Sequence, residues 1–187
     1  MLNFLEINRD TIIKEGNPIL REKSIDVEFP LSDATKSLIK RMEKYLIESN
    51  DEQLSEQKNL EPAVGIAAPQ VGNNLNIFLL LYEDENDKIY VEKYINPKII
   101  KRSKELSYLS NGEGCLSIPE KREGYVHRNA EIEVEYYDEE GNKYHEKFKE
   151  FYAIAFQHEF DHLQGVLYFD YINQEEPFAI KEQAREL

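Results

Sequence analysis

Hydrophobic residues fall along this chain in two rhythms. Over residues 32–50 they recur at helical spacing, with Leu38, Ile39, Met42, Tyr45 and Leu46 on one face. Ser32 stands where a side-chain cap would start that helix. Over residues 130–137 the period is two: Ile132, Val134 and Tyr136 alternate with Glu131, Glu133 and Glu135. That is a strand with one buried and one wet face. A second strand is expected at 143–148, joined to the first as a hairpin across Asp138-Glu139-Glu140-Gly141-Asn142. Further strands are expected at 76–82, 88–94, 98–109 and, briefly, 166–171. Residues 51–61 read as polar loop or frayed helix, and 63–72 as a small-residue loop holding Pro69. After the hairpin, Phe151, Ile154, Ala155, His158 and His162 lie at helical intervals, which predicts a helix with one continuous inward stripe. Gly165 follows as its stop. No repeat and no linker composition divides the chain. The expectation is one α+β domain over 1–187, with mostly antiparallel strands around a central buried helix.

Composition narrows the field. With 187 residues and 41% hydrophobic content the chain can bury a sizeable core. Its 37 acidic and 23 basic side chains give a formal charge of -14. An excess of that sign argues against direct nucleic-acid binding, which needs clustered Lys and Arg. The apolar run at 77–81 is a strand's length, so no membrane span is expected. Residues 1–10 show no export signal. One cysteine, Cys115, rules out an intramolecular disulfide and suits a reducing, cytoplasmic setting.

Candidate chemistry lies on the predicted helix. His158, Glu159 and His162 form an H-E-x-x-H pattern, and histidines four apart share one helix face. Two neutral imidazoles so placed can grip a divalent metal, and Glu159 can handle the proton of a nearby water. Cys115 is either a buried core thiol or a third ligand, and the glycines framing Glu113 favour the ligand. A metallopeptidase would draw its third ligand from a further His or Glu instead. A closed structural site would need a fourth protein ligand, for which the remaining His127 and His145 could be offered, though neither has a paired spacing.

Three segments in order resemble the signature motifs of the peptide deformylases: Ala63-Val64-Gly65-Ile66-Ala67-Ala68-Pro69-Gln70, Glu113-Gly114-Cys115-Leu116-Ser117 and Gln157-His158-Glu159-Phe160-Asp161-His162. The similarity runs from Ile13-Lys14-Glu15-Gly16-Asn17-Pro18 to Gly165-Val166-Leu167-Tyr168, and the stretch between Asn50 and Pro62 resembles the longer, Gram-positive-type branch. One departure is Ala63, where the family usually has glycine. The resemblance implies a metallohydrolase that removes the N-formyl group from the N-terminal methionine of nascent polypeptides and releases formate. It implies Cys115, His158 and His162 as ligands of Fe²⁺, with Zn²⁺, Ni²⁺ or Co²⁺ as substitutes. Glu159 would carry protons, and the Gln70 amide and Leu116 N–H would face the oxyanion. Val64, Gly65, Glu113, Ile154 and Ala155 would bind substrate. Asp161 and Gln157 would either orient ligands or face neighbouring strands, with Arg122 and Arg128 at the cleft mouth. N-formylmethionyl peptides are the expected partners, with transient ribosome proximity. The acidic residues Glu175, Glu176, Glu182 and Glu186 argue against docking through a basic C-terminal helix.

Overall fold

The computed structural model describes residues 6–84, 86 and 88–187. Residues 1–5, half of the segment read above as lacking an export signal, lie outside the described residues. Helix α1 spans Asp33–Ser49, and the Ser32 side chain accepts from Thr35 N as its cap. Its predicted face is the buried one. Helix α2, Glu52–Gln57, settles the choice between loop and frayed helix, because Asp51 accepts from Gln53 N and Leu54 N.

Strands β1 (Gly65–Ala67), β2 (Ile77–Glu83), β3 (Ile89–Arg102), β6 (Glu131–Tyr137) and β7 (Lys143–Lys149) build an antiparallel five-stranded sheet in the order β1-β2-β3-β6-β7. Helix α1 covers one face, packing on Ile77 and Leu79. Helix α3, Glu150–Leu163, covers the other, against Phe78, Leu80, Ile132 and Val134. Alternate β2 residues therefore feed opposite cores, as a two-sided buried strand requires.

A smaller sheet, β5-β4-β8, holds β5 (Arg128–Asn129), β4 (Leu106–Tyr108) and β8 (Ala184–Glu186). The β4–β8 pair is parallel, so strands are mostly but not wholly antiparallel. The architecture is α+β. Among the described residues, no helix is long and apolar enough to cross a membrane.

Several expected boundaries are corrected. The two strands read at 88–94 and 98–109 are one strand, β3, ending at Arg102, with β4 separate. Pro97 does not end β3; a register shift between Ile95 and Lys98 absorbs it, beside Asn96 at φ 49°. The Asn96 amide then pairs with Val27 N and O, each at 2.9 Å. The small-residue loop at 63–72 contains β1 and a 3₁₀ turn at Ala68–Val71. The strand expected at 166–171 is a 3₁₀ turn, Tyr168–Tyr171, and the polar tail supplies β8.

The stripe on α3 is also corrected. The sheet-facing residues are Ala153, Phe156 and Leu163, whereas Phe151 is 40% exposed. The helix is apolar on more than one side, so periodicity alone left its orientation open. The stripe of Phe151, Ile154, Ala155 and His158 lines a cleft instead.

Candidate metal centre

Three elements bring the candidate residues together. Helix α3 carries His158, Glu159 and His162, with the two imidazole centroids 5.2 Å apart. Its end is set by Gly165 at φ 72°, where a Cβ would lie 2.5 Å from the Arg21 carbonyl oxygen. A turn closed by Ile118 N donating to Cys115 O at 3.0 Å presents Cys115, Leu116 and Ser117. The 3₁₀ turn after β1 presents Gln70.

Donor atoms of Cys115, His158 and His162 all lie within 4.8 Å of one another, the one such group among the described residues. Cys115 Sγ is 3.3 Å from His162 Nε2. His158 turns Nδ1 to the Glu113 carboxylate at 2.7 Å, which leaves Nε2 for the cleft. One thiol and two imidazoles suit a transition metal better than a hard cation, so the residues present fit the metal expected here. His127 lies in an aromatic cluster with Tyr108 and Tyr125, and His145 faces Glu133 on the sheet surface. Neither supplies a fourth ligand.

The carboxylates beneath the site divide by environment. Burial works to raise Glu113, but the Arg128 guanidinium and the His158 bond outweigh it and hold Glu113 down at about 2. Burial pushes Glu159 up to about 7, with His158 and Arg128 offsetting part of that. Glu159 Oε2 is buried without a hydrogen-bond partner, so its acceptor capacity is unspent. A carboxylate held near neutral in this way can both take and return a proton. Burial above all lowers His162, which favours the neutral imidazole a metal needs, whereas on His158 burial is outweighed by the bonds to Cys115 and Glu113, which raise it.

Gln70 is buried, and its Oε1 accepts from Ala67 N at 2.8 Å. That fixes the amide so that Nε2 lies 3.2 Å from Ser117 Oγ and 3.5 Å from Cys115 Sγ. Val64, Gly65, Glu113, Ile154 and Ala155 all line a cleft of about 290 Å³ that also contains Gln70, Cys115, Leu116, His158 and Glu159. Glu113 spends its carboxylate on Arg128 and His158, so its charge is turned away from any ligand in that cleft.

Arg122 and Arg128 stand elsewhere than expected, and Asp161 and Gln157 take the second of their alternatives, facing strand β5. Arg128 is buried rather than at the mouth, with Nη1 on Asp161 at 2.8 Å and Nη2 on Glu113 at 2.9 Å. Arg122 is outside, paired with Glu15 at 3.1 Å and over the Phe169 ring. Asp161 reaches Arg128 and Tyr171 rather than a metal-ligand candidate. Gln157 bonds Asn129 N and O. The sequence reading missed Phe151 and Leu109 in the cleft wall. Their signal, an apolar residue near a motif, is shared by ordinary core positions.

Comparison with known proteins accords with this geometry. The family model described as polypeptide deformylase matches residues 10–178. A peptide deformylase of Oceanobacillus iheyensis is 43% identical over 178 residues, covering 95% of this chain and 97% of the relative. Among solved structures, a probable peptide deformylase from Synechococcus phage S-SSM7 aligns with a TM-score of 0.71 at 32% identity, over 86% of this chain and 98% of that one. A Met-Ala-Ser-bound class I type b peptide deformylase from Acinetobacter baumannii aligns with a TM-score of 0.68 at 27% identity, over 90% and 100%.

Proposed function

The chain belongs to the peptide deformylase family, hydrolases that remove the N-formyl group from nascent chains, and from that premise we propose how its own residues do so. Cys115, His158 and His162 would hold Fe²⁺, with Zn²⁺, Ni²⁺ or Co²⁺ able to substitute. When bound, the ion acidifies a water and polarises the formyl carbonyl. The observation that carries this reading is the convergence of those three donors beside a buried, unpaired Glu159 carboxylate.

Glu159 takes the proton of the attacking water and returns it to the departing amine. The Gln70 amide and the Leu116 N–H face the carbonyl oxygen as its charge grows, where fixed donors are worth most. Val64, Ile154 and Ala155 give the methionine side chain an apolar slot. Gly65 and Glu113 border it, Glu113 acting by holding His158. The fold works as one catalytic domain over 1–187. Its substrates are N-formylmethionyl peptides, met in the cytoplasm near the ribosome, without direct nucleic-acid contact.

The test is formate release from formyl-Met-Ala peptide by anaerobically prepared, Fe²⁺-loaded protein. Release that disappears in Glu159→Ala supports the assignment. No formate from fully metallated protein sinks it. Cleavage of the unformylated peptide would make the protein a peptidase.

A further inference from the structure

Residues 13–15 take no part in the chemistry above, yet they bond to both loops that carry its donors. Ile13 N donates to Gln70 O at 2.8 Å, and Glu15 N donates to Ser117 O at 2.9 Å. Between them the half-buried Lys14 Nζ donates to Leu116 O at 2.7 Å. One short segment therefore spans the gap between the Gln70 turn and the Cys115–Ile118 turn.

The Lys14 contact matters because of what it holds. Leu116 and Ser117 are the central residues of their turn, and Leu116 O belongs to the turn's middle peptide plane. Turns of the two commonest types differ by a flip of that plane. A charge-assisted bond to its carbonyl resists the flip more than a neutral one would. The Leu116 N–H lies in the preceding plane, between Cys115 and Leu116, and meets the Lys14-held plane at Leu116 Cα, so Lys14 acts on it through that shared atom.

We propose that Ile13, Lys14 and Glu15 clamp the two donor loops at a set separation, with Lys14 the positioning residue for the Leu116 N–H. This rests on the reading of Gln70 and Leu116 as oxyanion donors. Removing such a donor outright costs about 10²–10³ in kcat. Loosening one while leaving it present costs a fraction of that, about tenfold, and spares ground-state binding.

The experiment compares Lys14→Met and Lys14→Arg in the full chain, loaded with Fe²⁺ for kinetics and with Zn²⁺ for amide NMR. Lys14→Met is expected to lower kcat about tenfold with KM within about twofold. The Leu116 amide resonance is expected to shift, and Lys14→Arg to restore both. Metal content and Tm report folding, and Lys14→Gln serves in place of Lys14→Met should the latter not fold. A raised KM with kcat held, equal loss in the Arg and Met variants, or an unmoved Leu116 amide overturns the clamp. Wild-type protein that releases no formate would overturn the donor assignment instead, while the Leu116 resonance still decides the clamp.

Discussion

At the scale of single residues, Gly65 shows how little space the site leaves. A Cβ there would lie 2.5 Å from Glu159 Oε1 and 2.7 Å from its Cδ and Cγ. Glu159 is buried and cannot retreat without leaving its position beside the metal-ligand candidates. We expect Gly65→Ala to lower turnover by about 10² or more, the range lost with a general base, while metal content stays near wild type. Turnover within a few-fold of wild type would show that Glu159 does not need its observed place. Ala63 is the opposite case. Its φ is not in the left-handed region, and its carbonyl accepts from Asn50 Nδ2 at 2.8 Å. The backbone there takes alanine without strain, so the departure from the family's glycine costs no conformational energy. Its methyl adds to the cleft wall.

At the scale of elements, α3 and β5 are joined to the Cys115 loop by charge. Arg128 of β5 holds Glu113 of the loop and Asp161 of α3, all three buried. Burial works to lower Arg128, but the two carboxylates raise it above its ordinary value. Taking away the cation leaves two uncompensated buried carboxylates, a loss of about 3–5 kcal/mol. Arg128→Leu should therefore lower the unfolding free energy measured in urea by that amount and weaken metal affinity about 10–100-fold, since Glu113 no longer orients His158. Adding Glu113→Gln and Asp161→Asn should recover much of the stability but not the affinity. Recovery of both would mean that the network serves stability alone. The sequence showed these three residues but not their partnership. They lie 15 and 33 positions apart, and no local period links them.

At the scale of the whole molecule, Arg21 near the beginning is tied to Asp170 after α3, with Arg21 Nη2 on Asp170 Oδ1 at 3.1 Å. Burial works to raise Asp170, but Arg21 and the Leu167 N–H outweigh it and hold the carboxyl below its ordinary value. A depressed carboxyl stabilises the fold above the unfolded pKa, about 3.9, and that contribution is lost as pH falls through the folded value. Asp170→Asn should lower Tm at pH 7 and converge with wild type once both are scanned below the folded pKa. A Tm difference that persists unchanged there would assign the effect to packing. Legible along the chain is what local geometry carries: the capped α1, the β6–β7 hairpin, and two histidines on one face of α3. Periodicity fixes which residues share a side, because side-chain direction repeats along a helix or strand. Tertiary structure alone decided which side meets what. It turned the Phe151 stripe of α3 to the cleft, brought Cys115 to within 3.3 Å of His162, set Arg128 beneath the site, and paired β8 with β4. Those outcomes depend on contacts between residues far apart in the chain, and a helix apolar on several sides carries no local signal for choosing among them.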